Sequence, residues 1–361
     1  MVYDNIKNIE LYRGLSEDIY AGLKFLSSVD SSIENGVHSI IRGELRFPEG
    51  LEKIGEKAFS GGLEISGPLE LPETLTSIGD RAFNLCQFSG DLVIPGGVKV
   101  IPSFCFDGSS FDGNLILNEG VTNIKEMAFN DCMFRGELAL PSTVREVGQG
   151  SFSYNHFSSI VLPEKLQLLG GEAFKGCQFL SGEIHIPCSI VSVPEGCFMD
   201  CPLISSVVLP KNVTAIETDA FSNDNYIRTI VCENPDPPHL STNAFSNVVK
   251  NQINVEVPKQ GLQRYKNNLT WREFTRLTEY RNFVCRPAHA CALTTAHRQA
   301  LVLNADGNWR VTYKPDWVTL SKTEGSLKSE IVATFSELPP GLPVRQDSIV
   351  FQLEGTDVKT F

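Results

Sequence analysis

A small residue followed by Phe recurs along this chain at Phe59, Phe83, Phe106, Phe129, Phe152, Phe174, Phe198, Phe221 and Phe245, in steps of 24, 23, 23, 23, 22, 24, 23 and 24 residues. Self-similarity at so short a period defines a solenoid, in which each repeat buries its apolar residues against the repeats before and after it and none folds alone. The residue ahead of each Phe is uniformly small: Ala58, Ala82, Cys105, Ala128, Ser151, Ala173, Cys197, Ala220 and Ala244. Close packing of coils requires this, and truncating a Phe to Ala in such a stack costs about 3–5 kcal/mol.

Further columns keep the same period. Leu45-Arg46-Phe47-Pro48, Leu69-Glu70-Leu71-Pro72, Leu92-Val93-Ile94-Pro95, Leu138-Ala139-Leu140-Pro141, Ile184-His185-Ile186-Pro187 and Val207-Val208-Leu209-Pro210 share one pattern, with Asn118 in place of the proline once. Period-2 alternation makes each a short strand, and stacked coils give a parallel sheet with strands roughly 4.8 Å apart, about 50 Å long for ten coils. Proline has no N–H to donate, so the ladder stops at the same level in every coil. An apolar residue lies five before each Phe (Ile54, Ile78, Ile101, Ile124, Val147, Leu169, Val193, Ile216) and another five after it (Phe88, Phe111, Phe134, Phe157, Phe179), all expected to face inward.

The template resembles the BspA-like, Treponema-type leucine-rich repeat, most clearly from Leu69-Glu70-Leu71-Pro72 through Ile78-Gly79-Asp80-Arg81-Ala82-Phe83 to Cys86. The resemblance covers residues 45 to about 280. It includes the C-terminal cap of such arrays, a last strand and short helix, in Val255-Glu256-Val257-Pro258, Tyr265 and Trp271-Arg272-Glu273-Phe274. Ser16-Glu17-Asp18-Ile19-Tyr20 ahead of Leu23 and Leu26 has an N-cap residue and helical spacing, so residues 1–44 are expected to be a partly helical N-terminal cap.

From about Arg281 the register vanishes and short alternating segments follow, among them Asn308-Trp309-Arg310-Val311, Asp316-Trp317-Val318-Thr319-Leu320-Ser321 and Ser329-Glu330-Ile331-Val332-Ala333. They predict a β-sandwich over residues 281–361. Trp309, the Trp317-Val318-x-Leu320-Ser321 segment, Gly325 and Arg345 resemble a BACON domain, an immunoglobulin-like module of bacterial surface and secreted proteins. The expected fold is thus a β-rich leucine-rich-repeat solenoid, one short parallel strand per coil of about 23 residues, followed by an immunoglobulin-like β-sandwich.

Chemical motifs are scarce. H-E-x-x-H, G-x-S-x-G, Walker A and dinucleotide patterns are all absent, so neither a catalytic residue nor a cofactor is expected. Of the ten cysteines, Cys86, Cys132, Cys177 and Cys201 fall three places after a Phe, and Cys105 and Cys197 lie in the small column, positions that suit buried thiols. A Cys177–Cys201 bridge is open on spacing, although stacked side chains point in parallel. Cys285 and Cys291, near His289 and His297, could be plain thiols, a disulfide or metal ligands, but they lack the paired C-x-x-C spacing of a zinc site. No metal is expected. A net charge of −12 disfavours nucleic acid as a partner, and no run of 18 apolar residues suggests a transmembrane segment. Met1-Val2-Tyr3-Asp4 opens without a recognisable leader, so the extracellular or outer-surface location rests on the family resemblance.

The strand residues expected to face outward run Arg46, Glu70, Val93, Ile116, Ala139, Val161, His185 and Val208, apolar in the middle. Beside them lies a row that includes Asp91, Glu137 and Glu183. Contiguous exposed apolar surface marks an interaction site, whereas the same residues would also suit a sheet that merely tolerates β-branched side chains. The expected partner is a protein or glycoprotein. The alternative is carbohydrate binding through the sandwich, for which Trp309 and Trp317 are the aromatics to consider.

Overall fold

The computed structural model divides into two compact units, Met1–Glu279 and Tyr280–Phe361. It describes residues 45, 47, 50–61 and 66–279, with strands at 8–9, 28–29 and 41–42, and, in the second unit, residues 284–286, 297–305, 308–326, 329–335, 349–354 and 359–360. The expected helix at residues 16–26 lies outside the described residues, as do Arg46 and the side chains of Cys285, Cys291, His289 and His297.

The first unit is a parallel β-solenoid. Strands Leu92–Ile94 and Leu115–Leu117 pair in parallel, as do Arg135–Ala139 and His156–Val161, and a five-stranded parallel sheet joins Ser181–His185, Leu203–Leu209, Thr229–Cys232, Asn254–Val257 and Arg276–Glu279. Strands stop at or just before Pro95, Pro141, Pro210 and Pro258. Each such proline then anchors a turn through its carbonyl, as in Val98 N–H to Pro95 O at 3.0 Å and Val213 N–H to Pro210 O at 3.0 Å.

Each coil carries a second, two-residue strand that the sequence pattern does not announce. Val100–Ile101, Asn123–Ile124, Glu146–Val147 and Leu168–Leu169 form one such ladder, and Ser192–Val193, Ala215–Ile216 and His239–Leu240 another. Ile101, Ile124, Val147, Val193 and Ile216 point into the core.

The Phe column runs through the core as a continuous stack. Ring centroids are 5.4 Å apart for Phe59–Phe83, 5.3 Å for Phe106–Phe129 and 5.5 Å for Phe174–Phe198, with planes within 8° of parallel. Phe88, Phe111, Phe134 and Phe157 form a second stack edge-on to the first, for example Phe129–Phe134 at 6.1 Å and 74°. Phe274 closes the C-terminal end edge-on to Phe245 at 5.5 Å. There Leu262–Asn267 is a short helix, the Trp271 indole N–H donates to Pro238 O at 2.7 Å, and the Tyr265 hydroxyl donates to Asn234 O at 2.9 Å.

The residues two before and two after each of Phe83, Phe106, Phe129, Phe152, Phe174 and Phe198 adopt left-handed backbone, Arg81 (φ 54°) and Leu85 (φ 58°) among them. Alternating hand turns every second N–H toward the next coil: Arg81 N–H to Ser103 O (3.1 Å), Phe83 N–H to Cys105 O (2.9 Å) and Leu85 N–H to Asp107 O (2.8 Å). For a non-glycine residue this backbone costs roughly 1–2 kcal/mol, and the repeated intercoil bonds offset it.

The second unit consists of antiparallel sheets resembling an immunoglobulin-like β-sandwich. One sheet orders Val284–Arg286, His297–Asn304, Ser329–Phe335 and Val318–Leu320; the other orders Glu324–Ser326, Asn308–Tyr313, Val350–Leu353 and Lys359–Thr360. Leu301, Leu303, Trp309, Val318, Ile331 and Phe351 form its core.

Candidate functional site

The outward face of the long sheet is built from the central residue of each Leu-x-Leu strand. Val93 lies in register with Ile116, Ala139 with Val161, and His185 with Val208. Val93 is 39% exposed and Ile116 43%, Ala139 is also exposed, and Val161 and His185 are half-buried.

Val208 departs from the expectation of an outward, solvent-facing residue: it is only 4% exposed. Val208 pairs on both sides, with His185 and with Val231, in the five-stranded sheet, whereas Val93 and Ile116 form a two-stranded ladder. Glu256 extends the row beyond Val231; it is half-buried, and burial pushes its carboxyl up while the Asn254 amide opposes this.

The acidic row beside the strip is held by hydrogen bonds. Asp91 Oδ1 accepts the backbone N–H of Asn114 at 2.6 Å and its side-chain amide at 3.0 Å. Glu183 contacts His185 Nε2 at 2.5 Å and accepts from Ser206 Oγ at 3.1 Å. Glu137 is exposed. Apolar side chains beside fixed carboxylates can bind and orient a partner. They do not assemble a nucleophile with a base.

Phe179 also departs from its expected place. Five positions after Phe174 it should face inward, yet it is 54% exposed and Leu180 is buried instead. In this coil and the next two the inward residue comes six places after the Phe, as Leu180, Ile204 and Ile227 do, so one inserted position turns Phe179 outward. His156 packs edge-on against it at 5.0 Å. Met133, Leu203 and Tyr226, each immediately before a buried residue of the same column, are exposed as well, and the Arg228 guanidinium lies 5.2 Å over the Tyr226 ring. Sequence reasoning missed this ridge; the change from +5 to +6 spacing after Phe174 was its signal.

Cys177 and Cys201 are both free thiols. Burial pushes the Cys177 and Cys232 thiols up to about 12. Among the described residues no group of three or more His, Cys, Asp or Glu is placed to hold a metal ion, and no helix is long and apolar enough to cross a membrane.

Stacked short parallel strands, a Phe-filled core and coils of about 23 residues define a leucine-rich-repeat solenoid. Six copies of the BspA type leucine rich repeat region match residues 41–156 and 129–252, more than half of the chain, and the protein belongs to that family. No curated protein matches it in sequence. Similar solved structures include a leucine rich cell surface protein from Faecalibacterium prausnitzii A2-165, at 15% identity over 66% of this chain and 79% of that one (TM-score 0.27). A leucine-rich repeat protein from Bacteroides ovatus ATCC 8483 matches at 19% identity over 67% and 84% (TM-score 0.33). The pneumococcal vaccine antigen PcpA matches at 12% identity over 65% and 77% (TM-score 0.29). At such TM-scores the superpositions are loose and carry nothing about a ligand.

Proposed function

We propose that this chain is a non-enzymatic adhesion or protein-interaction module outside a bacterial cell, and that it binds a protein or glycoprotein through the outward face of the long sheet. The observation that carries the reading is the pair Val93 and Ile116, in register on adjacent strands and both exposed. Ala139, Val161 and His185 continue the strip, and Asp91, Glu137 and Glu183 flank it. Membership of the BspA type family agrees with a location at the cell surface. We assign residues 281–361, on the BACON resemblance, the role of a spacer.

The alternative, carbohydrate binding through the second unit with the solenoid as stalk, needs an exposed aromatic platform. Trp309 is fully buried, edge-on to Phe351 at 5.8 Å, and Trp317 is half-buried, which weakens it.

The test compares the full chain with the triple variant Val93→Ser, Ile116→Ser, Val161→Ser for binding to epithelial cells and to purified extracellular-matrix glycoproteins. Full burial of each aliphatic side chain is worth roughly 1.5–3 kcal/mol, so the variant should bind at least tenfold more weakly while its circular dichroism is unchanged. Binding at the original strength would end the reading.

A further inference from the structure

The place three residues beyond the Phe has a defined task in successive coils. Ser109 Oγ donates to the carbonyl of Phe83 at 2.6 Å, Cys132 Sγ to that of Phe106 at 2.9 Å, Asn155 Nδ2 to that of Phe129 at 2.7 Å, and Cys201 Sγ to that of Phe174 at 3.1 Å. In each case the acceptor is the Phe of the preceding coil. Some members also accept a backbone N–H from that coil, as Ser109 does from Cys86 (3.2 Å) and Asn155 from Phe134 (3.0 Å). The place asks for a buried side chain that donates, and in Ser109 and Asn155 for one that also accepts.

Asp224 stands in this column and is fully buried. Its Oδ1 accepts the Cys201 N–H at 2.7 Å, and its Oδ2 is buried with no hydrogen-bond partner. An ionised carboxylate only accepts, so it cannot do what the thiol, hydroxyl and amide do in the neighbouring coils; a carboxylic acid, with one O–H, can. We infer that Asp224 is a neutral carboxylic acid in the folded protein at neutral pH, donating Oδ2–H to the carbonyl of Phe198, and that its ionisation weakens the C-terminal coils as pH rises. The chain holds its own precedent, since Asn155 performs both halves of this task with an amide.

Electrostatics agree. Burial, opposed by the Cys201 N–H and reinforced by the Asp200 carboxylate, pushes Asp224 up to about 9. The ionisable groups facing it are Asp200 and the Cys201 thiol of the preceding coil, the latter itself pushed up by burial. Its own coil offers neutral Ser222 and Asn223, and Val248 takes the corresponding place in the next. Because the folded pKa lies above the ordinary value of 3.8, this group's stabilising contribution is full below about pH 4 and declines up to about pH 9. In that window the folding constant falls about tenfold per pH unit relative to a chain without the acid.

The test uses the full chain and its Asp224→Asn variant. Infrared difference spectra at pH 7 should show a protonated-carboxyl C=O stretch present in the wild type and missing from the variant, disappearing as pH is raised toward 10. In urea unfolding of the solenoid, the variant's advantage over the wild type should grow by about tenfold per unit between pH 5 and pH 8. Should Asp224→Asn fail to fold, Asp224→Ser, which copies the side chain of Ser109, serves as the blank. Absence of the carboxyl band at pH 7, or parallel pH profiles for wild type and variant, would overturn the inference.

Discussion

The Cys132 thiol donates to the carbonyl of Phe106 at 2.9 Å, a residue 26 places earlier in the chain and one coil away in space. Cys132→Ala removes one of two donors to that buried carbonyl, which also accepts the Ser109 N–H at 3.0 Å, and should cost about 0.5–1.5 kcal/mol, the net worth of one hydrogen bond. Cys132→Ser keeps the donor, as Ser109 does one coil earlier, and should lose less. Urea unfolding of the two variants gives the order directly; equal losses would mean that the hydrogen bond contributes nothing.

Thiol reactivity should follow burial. Cys188 is exposed, whereas Cys177 and Cys232 are buried with thiols pushed up to about 12. Alkylation of the native chain at pH 8, mapped by mass spectrometry, should label Cys188 and spare those two until urea is added. Labelling of Cys177 in the native protein at the rate of Cys188 would refute its placement in the core.

Gly176 and Gly182 separate steric from conformational cost. Both are left-handed, at φ +71° and +82°. A Cβ on Gly176 would lie 2.5 Å from the Tyr154 ring, whereas one on Gly182 meets nothing within 4 Å. Gly182→Ala should cost about 1–2 kcal/mol, the backbone penalty alone, and Gly176→Ala more, with Tyr154 fluorescence altered. Identical melting temperatures for the two variants would contradict the packing of Tyr154 over Gly176.

Acid has an effect opposite in sign to that at Asp224. The Lys125 ammonium, hydrogen-bonded at 2.8 Å, holds the Glu146 carboxyl below its ordinary value. The stabilisation is therefore present at neutral pH and lost as pH falls through the lowered pKa. Both side chains are partly exposed, so the pair is worth at most about 1 kcal/mol. Lys125→Met should flatten the acid limb of the stability curve slightly, and a steeper limb would refute the pairing.

Much of this fold is legible in the sequence because one packing constraint is repeated in every coil. The period, the small residue before each Phe and the proline at the strand end all follow from it. The second ladder is not legible, since strands such as Asn123–Ile124 are too short to alternate. The left-handed turns are hidden for another reason: Arg81, Phe104, Met127 and Glu172 occupy them without a glycine signal, because intercoil hydrogen bonds outweigh the backbone cost. On the candidate surface, alternation locates Val93 and Ile116 on the outer side. It could not foresee that Val208 is buried, or that a change from five to six residues after Phe174 expels Phe179.

The stacked Phe column is tested most directly by truncating one ring inside it and one the register slip has turned outward. Phe129 stacks between Phe106 and Phe152 with centroids at 5.3 and 5.6 Å, while Phe179 touches His156 at the surface. In urea unfolding, Phe129→Ala should lose about 3–5 kcal/mol and Phe179→Ala about 1 kcal/mol or less. Comparable losses from both, or a larger loss from Phe179→Ala, would contradict the account.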